Sequence, residues 1–313
     1  MEPFIISISL NPAWQKIYLF SSFSFNKVNR VKKILSCAAG KGVNVARTIT
    51  QLKGKVICLG YIGGKQGLKF KDYLEKEKIP AEVVEIGSDL RICTTLIDEA
   101  TGNITEITEP GGFVSTGEKV LFKQIFNYYI FKASALVLSG TIPPGESMEI
   151  YNELINLAKQ RGVLTFLDTS GEAARKSLLA SPDIFKVNRA ELGEICGKDI
   201  KSKEEIVSEA WKLKKIYGVK TILITNGASE VVGVTDKDSY LVIPPKVKVI
   251  NSIGSGDAFS AGYIYSFIKH RLVEESLLVG TACGTANTLN YLPGQVLTDD
   301  LDKIRKNLEL QKI

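Results

Sequence analysis

Short apolar runs alternate along the chain with amphipathic segments. The runs are rich in Ile, Val and Leu and end at turn residues, as the first does at Asn11-Pro12. Such runs predict strands that are buried on both faces, and their alternation with helices predicts an α/β fold with a parallel sheet covered on both sides. The predicted strands are Phe4–Leu10, Lys55–Tyr61, Ala81–Ile86, Ala135–Leu138, Val163–Leu167, Ile184–Lys186 and Thr221–Thr225.

Helices are predicted between these strands from periodicity and from capping signals. Ser115 with Glu118, and Ser202 with Glu205, have the spacing of a capping box, in which each residue bonds to the other's main chain. The other predicted helices, three of them in the C-terminal third, are Val43–Lys53, Gly67–Lys78, Asp257–Lys269, Val273–Leu292 and Asp299–Leu310.

Two segments do not follow this alternation of apolar strands and amphipathic helices. Lys16–Leu35 and Arg91–Thr108 are β-rich without a helix signal, and the second contains a turn at Ala100–Asn103. Because both leave the core near predicted strand ends, we expect a small sheet that acts as a lid. From the pattern alone, two surface hairpins explain the segments equally well.

Composition is that of an ordinary folded protein: 313 residues, 44% apolar and 24% charged, with a net charge of +6. The length allows one large domain or two small ones. The positive charge could favour anionic small molecules, but alone it indicates only a mildly basic protein.

The basic residues are not concentrated in one stripe. One helix carries Lys212, Lys214 and Lys215, and one predicted strand carries Lys246 and Lys248 in alternation. In neither set of lysines do aromatic residues alternate with the charges, so no nucleic-acid partner is expected.

Several other classes are disfavoured. The five cysteines are odd in number and form no CxxC pair, which argues against a disulfide framework or a zinc knuckle and predicts a reducing, cytoplasmic location. His270 is the single histidine, so Ser-His-Asp and Cys-His mechanisms are poor candidates. The apolar run Phe4–Leu10 is too short for a membrane span or a signal peptide, and no membrane partner is expected.

The strongest chemical signal is the segment Asn251–Gly262. Gly254 and Gly256 lie in a loop that runs directly into an apolar helix. Glycines let successive N–H groups converge, and the helix start adds partial positive charge, so the segment predicts an anion site. Asp257, in the first turn, is either a carboxylate favoured by the helix dipole or a general base beside a bound phosphate.

A second glycine loop, Ala38–Ala46, also precedes a helix and offers a cation at Lys41 and an amide at Asn44. An ordinary loop-to-helix junction explains this segment as well.

The known phosphate-binding motifs do not fit this sequence. The chain has no GxxxxGK[ST] segment, and Phe259 stands where the dinucleotide fingerprint needs its third glycine. The catalytic-loop and DFG signatures of protein kinases are absent too.

Together the two loops resemble both signatures of the ribokinase-like (PfkB) carbohydrate kinases. The resemblance extends over nearly the whole chain and is greatest to the branch of 1-phosphofructokinases and tagatose-6-phosphate kinases. The segments that carry it are Leu10–Ala13, Val28–Val31, Arg91, Ser139–Gly145, Leu167–Gly171 and Lys186–Leu192.

The resemblance implies a Rossmann-like, mostly parallel sheet with helices on both faces and a small β-sheet lid over the sugar. It implies one kinase domain over residues 1–313, with lid segments at about 12–37 and 89–109, and a homodimer through the lid. ATP would be the donor, with Mg²⁺ and, beside Asn251–Ile253, a monovalent cation.

The matching motifs also imply site residues. Asp257 would be the base, and Gly254, Ser255 and Gly256 the anion hole. Substrate-binding residues would be Asn11, Gln15, Gly40, Lys41, Asn44, Arg91 and Gly140, with Arg91 gripping a phosphate that the substrate already carries. Nucleotide-binding residues would be Lys186, Asn188, Thr225, Gly227 and Asn287. Asn188 and Glu191 would organise the metal through water and phosphate; from the residues alone they are equally a helix cap.

The chain departs from the branch pattern at several positions. Gln15 stands where an Asp usually binds sugar hydroxyls, and an amide is both donor and acceptor rather than an anion. Trp14 is bulkier than the usual residue, Lys53 replaces Gly or Ser, and Asn226 and Val187 replace an apolar residue and a proline. From the residues alone, Arg91 is a solvated charge at a lid edge.

The expected function is therefore an ATP-dependent kinase of a hexose phosphate, of the fructose 1-phosphate or tagatose 6-phosphate type. The alternative is a PfkB-type kinase of an unphosphorylated sugar, nucleoside or polyol. A different class is a non-catalytic ligand-binding protein on the same fold, against which the intact Gly254–Asp257 segment argues.

Overall fold

Two β-sheets organise the chain in the computed structural model, which describes residues 3–313. The strands are β1 (Phe4–Ser9), β2 (Ala13–Phe20), β3 (Lys33–Ala39), β4 (Lys55–Gly63), β5 (Ala81–Ile86), β6 (Ile92–Asp98), β7 (Ile104–Thr108), β8 (Ala135–Ser139), β9 (Leu164–Asp168), β10 (Ile184–Asn188), β11 (Thr221–Asn226), β12 (Glu230–Val234), β13 (Ser239–Ile243) and β14 (Glu309–Lys312). The helices are α1 (Lys41–Gln51), α2 (Gly64–Lys76), α3 (Thr116–Ile130), α4 (Ile150–Lys159), α5 (Gly171–Leu178), α6 (Arg189–Cys196), α7 (Lys203–Tyr217), α8 (Ser255–His270), α9 (Val273–Asn287) and α10 (Thr298–Arg305).

The larger sheet has the strand order β14-β13-β12-β11-β10-β9-β8-β1-β4-β5. Its strands are parallel from β11 to β5, and β12, β13 and β14 add an antiparallel edge. The predicted α/β fold with a mostly parallel sheet is confirmed. Chain order reverses between β1 and β8, and ligands of such sheets bind at the carboxyl ends of the strands beside that reversal.

Both faces of the large sheet are covered, as the unbroken apolar runs predict. Successive residues of a strand point to opposite faces. Ile6 and Ile8 accordingly belong to the apolar cluster that includes residues of α3 to α7, and Ile5 belongs to the cluster that includes residues of α1, α2 and α8. The strands are therefore apolar on both faces apart from a few buried polar residues such as Ser7 and Lys186, and most functional side chains lie at the strand ends and in the loops that follow them.

The second sheet, called the lid sheet below, has the order β3-β2-β6-β7. It is built from the two β-rich segments, and β2 pairs in parallel with β6 from Trp14↔Ile92 to Phe20↔Asp98. The predicted small sheet is confirmed, and the predicted turn at 100–103 joins β6 to β7. The predicted capping boxes also form, completely at Ser115 and through the Ser202 side chain at the second.

Some predicted elements are wrong. The helix predicted over Asp299–Leu310 ends at Arg305, and residues 309–312 form β14 instead. Unpaired main-chain groups at the edge of β13 take up this segment, with Leu310 opposite Val242, which a local pattern cannot show. The strand predicted at Lys246 and Lys248 is absent from the described chain, because β13 ends before Pro244-Pro245 and proline cannot donate to a ladder. The helix predicted to reach Leu292 ends at Asn287.

Candidate active site

A cavity of about 620 Å³ opens between the carboxyl end of the large sheet and the lid sheet. Its walls come from four places: the ends of β10 and β11, the start of α8, the start of α1, and one face of the lid sheet. The lining side chains used below are Gln15, Lys41, Asn44, Arg91, Glu106, Lys186, Asn188, Glu191 and Asp257. Residues as far apart in the chain as Ala13 and Pro293 thus line one site.

The loop before α8 has the geometry of an anion site. Gly254 is the residue before the first helical turn and has a φ of 83°, which glycine adopts without strain. A Cβ there would lie 2.8 Å from the main-chain nitrogen of Gly294. Gly254 through Asp257 line the cavity, and the first N–H groups of a helix lack partners within it. The N–H of Ser255 donates to Ser252 O at 3.2 Å. An anion in the cavity therefore meets the other N–H groups of this loop and the positive end of α8.

Asp257 is the carboxylate of this site. It is 5% exposed, and its Oδ2 accepts a hydrogen bond of 2.7 Å from Asn44 Nδ2. Burial raises the pKa of Asp257 to about 6; the nearby Asp168 adds to this, while Lys41, Asn44 and Lys186 oppose it. A carboxylate with this pKa is ionised at neutral pH and still basic enough to accept a proton.

Asp168 lies beneath the cavity at the end of β9 and is fully buried. Its carboxylate accepts hydrogen bonds from Lys41 Nζ at 3.0 Å, Lys186 Nζ at 3.1 Å and Ser260 Oγ at 2.8 Å. Burial alone would raise its pKa, but Lys186 and Lys41 outweigh burial and lower the pKa to about 2. Asp168 therefore holds the two ammonium groups of the cavity in place.

Sequence reasoning did not assign a role to Asp168, although its segment carried part of the family resemblance. One signal was available: a single acidic residue ends the mostly apolar, buried strand Leu164–Asp168. The pKa of Lys41 is raised because Asp168, Asp257 and Glu191 outweigh the effect of burial. Three carboxylates therefore surround Lys41, so it is charged over the whole physiological range.

Asn188 and Glu191 form a complete capping box at the start of α6. Asn188 Oδ1 accepts from Glu191 N at 2.9 Å, and Glu191 Oε2 accepts from Asn188 N at 2.8 Å. Asn188 and Glu191 therefore bond to each other as a helix cap, and both residues also line the cavity. Among residues 3–313, no group of three His, Cys, Asp or Glu side chains could hold a metal ion alone.

On the lid side, Arg91 and Gln15 line the cavity. The Arg91 guanidinium donates to the main-chain oxygens of Asn11 at 2.7 Å and Pro12 at 3.3 Å, and reaches Glu109 O at 3.5 Å. Gln15 donates its amide to Thr95 Oγ1 at 2.7 Å. Arg91 therefore joins the lid sheet to the end of β1.

Three residues expected at the site stand outside the cavity lining. Asn11 donates to Thr141 Oγ1, and Gly140 donates its main-chain N–H to Asp168 O. Asn287 is fully buried and bonds to Ile253 O and Gly294 N. These contacts hold the loops around the cavity. Thr225, Gly227 and Gly40 line it.

A model of the pfkB family of carbohydrate kinases matches residues 8–298. The chain belongs to this family. The resemblance inferred from the two glycine loops is confirmed, and the protein is an ATP-dependent carbohydrate kinase.

In the described residues, no helix is both long enough and apolar enough to cross a membrane.

Individual relatives agree with the family. A tagatose-6-phosphate kinase of Staphylococcus epidermidis is 29% identical over 311 residues, which are 99% of this chain and all of that protein. Phosphofructokinase-2 of Escherichia coli, solved with potassium, superposes with a TM-score of 0.88 at 24% identity over 98% of this chain and 99% of that one. A possible 1-phosphofructokinase of Thermotoga maritima gives a TM-score of 0.88 at 25% identity over 99% of both chains.

Proposed function

We propose that the pfkB kinase described here phosphorylates a hydroxyl group of a hexose phosphate, of the fructose 1-phosphate or tagatose 6-phosphate type. The observation that supports this most is the buried Asp257 carboxylate beside the start of α8, in one cavity with Lys41 and Arg91. A base, an anion site and two cations are what transfer to a phosphorylated sugar requires. Relatives named for tagatose 6-phosphate and 1-phosphofructokinase activity support the substrate class.

In the proposed reaction, Asp257 accepts the proton of the sugar hydroxyl as that oxygen forms its bond to the γ-phosphorus of ATP. The bond between that phosphorus and the bridging oxygen breaks, and ADP leaves. Charge on the transferred group is stabilised by the N–H groups of Gly254, Ser255 and Gly256 and by Lys186. A Cβ on Gly256 would lie 2.8 Å from Lys186 Nζ, so this ammonium borders the loop.

Nucleotide and metal would lie on the α6 side of the cavity, where Asn188, Thr225 and Gly227 line it. Mg²⁺ prefers oxygen ligands and keeps several waters. Glu191 and Asn188 offer oxygens without forming a cage, which fits an ion held mainly by phosphates and water. When bound, Mg²⁺ neutralises phosphate charge. The resemblance further suggests a monovalent cation beside Asn251–Ile253.

One observation favours the second candidate, a kinase of an unphosphorylated sugar, nucleoside or polyol. Glu106, on β7, lines the lid side of the cavity; burial raises its pKa and the positive charge of Arg91 opposes that. A carboxylate near Arg91 disfavours a phosphate there and suits hydroxyl groups. A panel of hexoses, hexose phosphates, nucleosides and polyols, with ADP formation as the readout, decides between the candidates.

Substitution of Arg91 with Ala is expected to raise the KM of a hexose phosphate about ten- to a hundredfold. It removes charge-assisted hydrogen bonds to phosphate, each worth about 1.5–3 kcal/mol. Steady-state kinetics should be compared for a hexose phosphate and the same hexose without phosphate. Because Arg91 also anchors the lid, loosening of the lid would raise both KM values equally, whereas loss of a phosphate contact raises only the first.

Arg175→Ala is the control, since Arg175 is an exposed arginine on α5 that lies outside the lid sheet and does not line the cavity. Its kinetics should equal those of the wild type. An unchanged KM for the hexose phosphate in Arg91→Ala, together with faster turnover of the unphosphorylated sugar, would refute the hexose phosphate assignment and leave the second candidate.

We also propose that two copies of the chain associate through the outer face of the lid sheet. Tyr18 of β2 pairs with Ile34 of β3, and the exposed Ile107 of β7 lies on the same face. Phe25 and Val28, in the loop between β2 and β3, are 84% and 86% exposed. An apolar patch of this kind is typical of an interface.

Sedimentation velocity should therefore show a dimer for the wild type and a monomer for Ile34→Glu combined with Ile107→Glu. Val120→Glu in combination with Leu121→Glu, two exposed apolar residues on α3, is the control and should leave the dimer intact. A monomeric wild type at micromolar concentration would exclude the proposed interface.

A further inference from the structure

Arg47 is the largest side chain that is fully buried in the described part of the chain, with 1% of its surface exposed. It lies on α1, one turn after the cavity residue Asn44. A buried guanidinium is rare and is retained only where partners satisfy its N–H groups and its charge. Its partners therefore indicate what the residue is for.

Four groups from separate segments surround this guanidinium. Nη1 donates to Pro293 O at 2.8 Å and to Asn44 Oδ1 at 3.2 Å, Nη2 donates to Ala38 O at 2.6 Å, and Nε donates to Glu77 Oε2 at 2.8 Å. Glu77 neutralises the charge. The other three partners belong to the segments that form the cavity wall.

The contact with Asn44 has a chemical consequence for Asp257. A side-chain amide offers an oxygen that accepts and an NH₂ group that donates, whereas a guanidinium only donates. Arg47 therefore requires the oxygen of Asn44 on its side, and the NH₂ group is left facing Asp257, to which it donates at 2.7 Å. Turned by 180°, the same amide would present an oxygen to the carboxylate.

The contact with Pro293 reaches the anion site. A Cβ on Gly254 would lie 2.7 Å from Pro293 Cβ, so this proline packs directly against the loop before α8. Ala38, at the end of β3, leads into the Gly40–Lys41 start of α1. One side chain thus contacts the segments on either side of Lys41 directly, and it reaches the base and the anion loop through Asn44 and Pro293.

We propose that Arg47 is a positioning residue that fixes the Asn44 amide, so that a hydrogen-bond donor faces Asp257 during turnover. This inference rests on the proposed role of Asp257 as the base. Arg47 does not line the cavity and acts through Asn44. The charges that face Asp257 directly are those of Lys41, Lys186 and Asp168. The titratable groups around Arg47 are Glu77, Cys37 and Tyr73.

A double-mutant cycle tests the proposal. Arg47→Met and Asn44→Leu are each expected to lower kcat about ten- to a hundredfold. The kcat of the double variant should be no more than about threefold below that of the less active single variant, because both changes remove the same hydrogen bond. Multiplicative losses in kcat would show that Arg47 acts independently of Asn44 and would overturn the proposal.

Thr48→Val is the control for a purely structural role. Thr48 is buried beside Arg47, and its hydroxyl bonds to the main-chain oxygens of Asn44 and of Gly294, the residue after Pro293. The substitution therefore leaves the hydrogen bonds of the Asn44 side chain in place. It should lower the melting temperature while kcat stays within about twofold of the wild type. If Thr48→Val loses as much kcat as Arg47→Met, the role of Arg47 is structural only.

A second readout needs no turnover. The pKa of Asp257 can be followed by ¹³C NMR of protein labelled in its aspartates, with Asp257→Asn identifying the resonance. Asn44→Leu and Arg47→Lys should each raise this pKa by about one unit, since the oriented donor is lost. Arg47→Lys retains the charge and should fold even if Arg47→Met does not. The lysine nitrogen has three N–H groups for the four contacts that Arg47 makes, so the contact with Asn44, the longest at 3.2 Å, is the one expected to be lost. An unchanged pKa in Arg47→Lys, with a raised one in Asn44→Leu, would contradict the proposal.

The two proposals fail in different ways. If the wild type phosphorylates no member of the sugar panel and yet the pKa of Asp257 responds to Arg47→Lys, the proposed function is wrong and the positioning role stands. If the wild type is active, Asp257→Asn is inactive, and Arg47→Lys changes neither kcat nor the pKa, only the positioning role is wrong.

Discussion

Replacement of Asp257 with Asn is expected to lower kcat by about 10²–10⁴-fold, the usual cost of losing a general base. Asparagine has nearly the same shape, so nucleotide and sugar should still bind. His270, the single histidine, ends α8 and is exposed, whereas Asp257 begins that helix. It is therefore not a substitute base. A variant that keeps more than half of the wild-type kcat would disprove the assignment.

The pH dependence of the wild type supports the same test. Because the pKa of Asp257 is raised to about 6 by burial, kcat/KM should fall as the pH drops below about 6 and the base becomes protonated. The residual activity of Asp257→Asn should lack this acid limb. Measurements from pH 5 to pH 8 with a saturating nucleotide cover the range.

Stability provides the control for folding. The folded state binds more protons than the unfolded state between the ordinary pKa of 3.8 and the raised value of about 6, so the contribution of Asp257 becomes unfavourable as the pH rises through this window. Asp257→Asn should therefore increase the free energy of unfolding at pH 7 by about 1–3 kcal/mol. Urea denaturation measures it, and a stable but inactive variant excludes misfolding.

Asp168→Asn is expected to lower the free energy of unfolding by about 3–5 kcal/mol, because removal of one member of a buried ion pair leaves charge without compensation. Two ammonium groups, of Lys41 and Lys186, depend on this carboxylate. Urea denaturation at pH 7 measures the loss. Since the pKa of Asp168 is lowered to about 2, its stabilisation is present above about pH 4 and disappears as the pH falls towards 2.

Glu153→Gln is the matched control for that measurement. Glu153 pairs with Lys123 on the surface, where both side chains are nearly half exposed, and such pairs contribute about 1 kcal/mol or less. Adding Lys186→Met to Asp168→Asn should recover part of the stability, because it removes one of the uncompensated cations. A loss of less than about 1 kcal/mol in Asp168→Asn would show that the buried charges do not depend on each other.

Local signals predicted the fold and the loops well. Apolar runs determine strands that are buried on both faces, and Ser115-x-x-Glu118 contains both partners of its cap. The loop before α8 could be read directly, since glycine spacing, the helix start and Asp257 lie within one segment. In each case the interacting residues are close neighbours in the chain, so their contact can be predicted from the sequence alone.

Asp168 and Arg47 could not be predicted in the same way. Asp168 meets Lys41, Ser260 and Lys186 across 127, 92 and 18 residues, and Arg47 meets Pro293 across 246. Neither network leaves a periodic trace, because its members come from strands, helices and loops that are far apart in the chain. β14 was missed for a related reason: an edge strand is defined by the strand it joins.

The cavity has two kinds of wall, and they differ in how much change they tolerate. The loop before α8 packs so closely against Pro293 and the main chain of Gly294 that no side chain fits at Gly254. The opposite wall consists of side chains on a separate sheet, among them Gln15, Glu106 and Thr108. New sugars can therefore be accommodated by substitution on the lid sheet while the chemistry stays intact, which makes this sheet the natural target for directed evolution of substrate range.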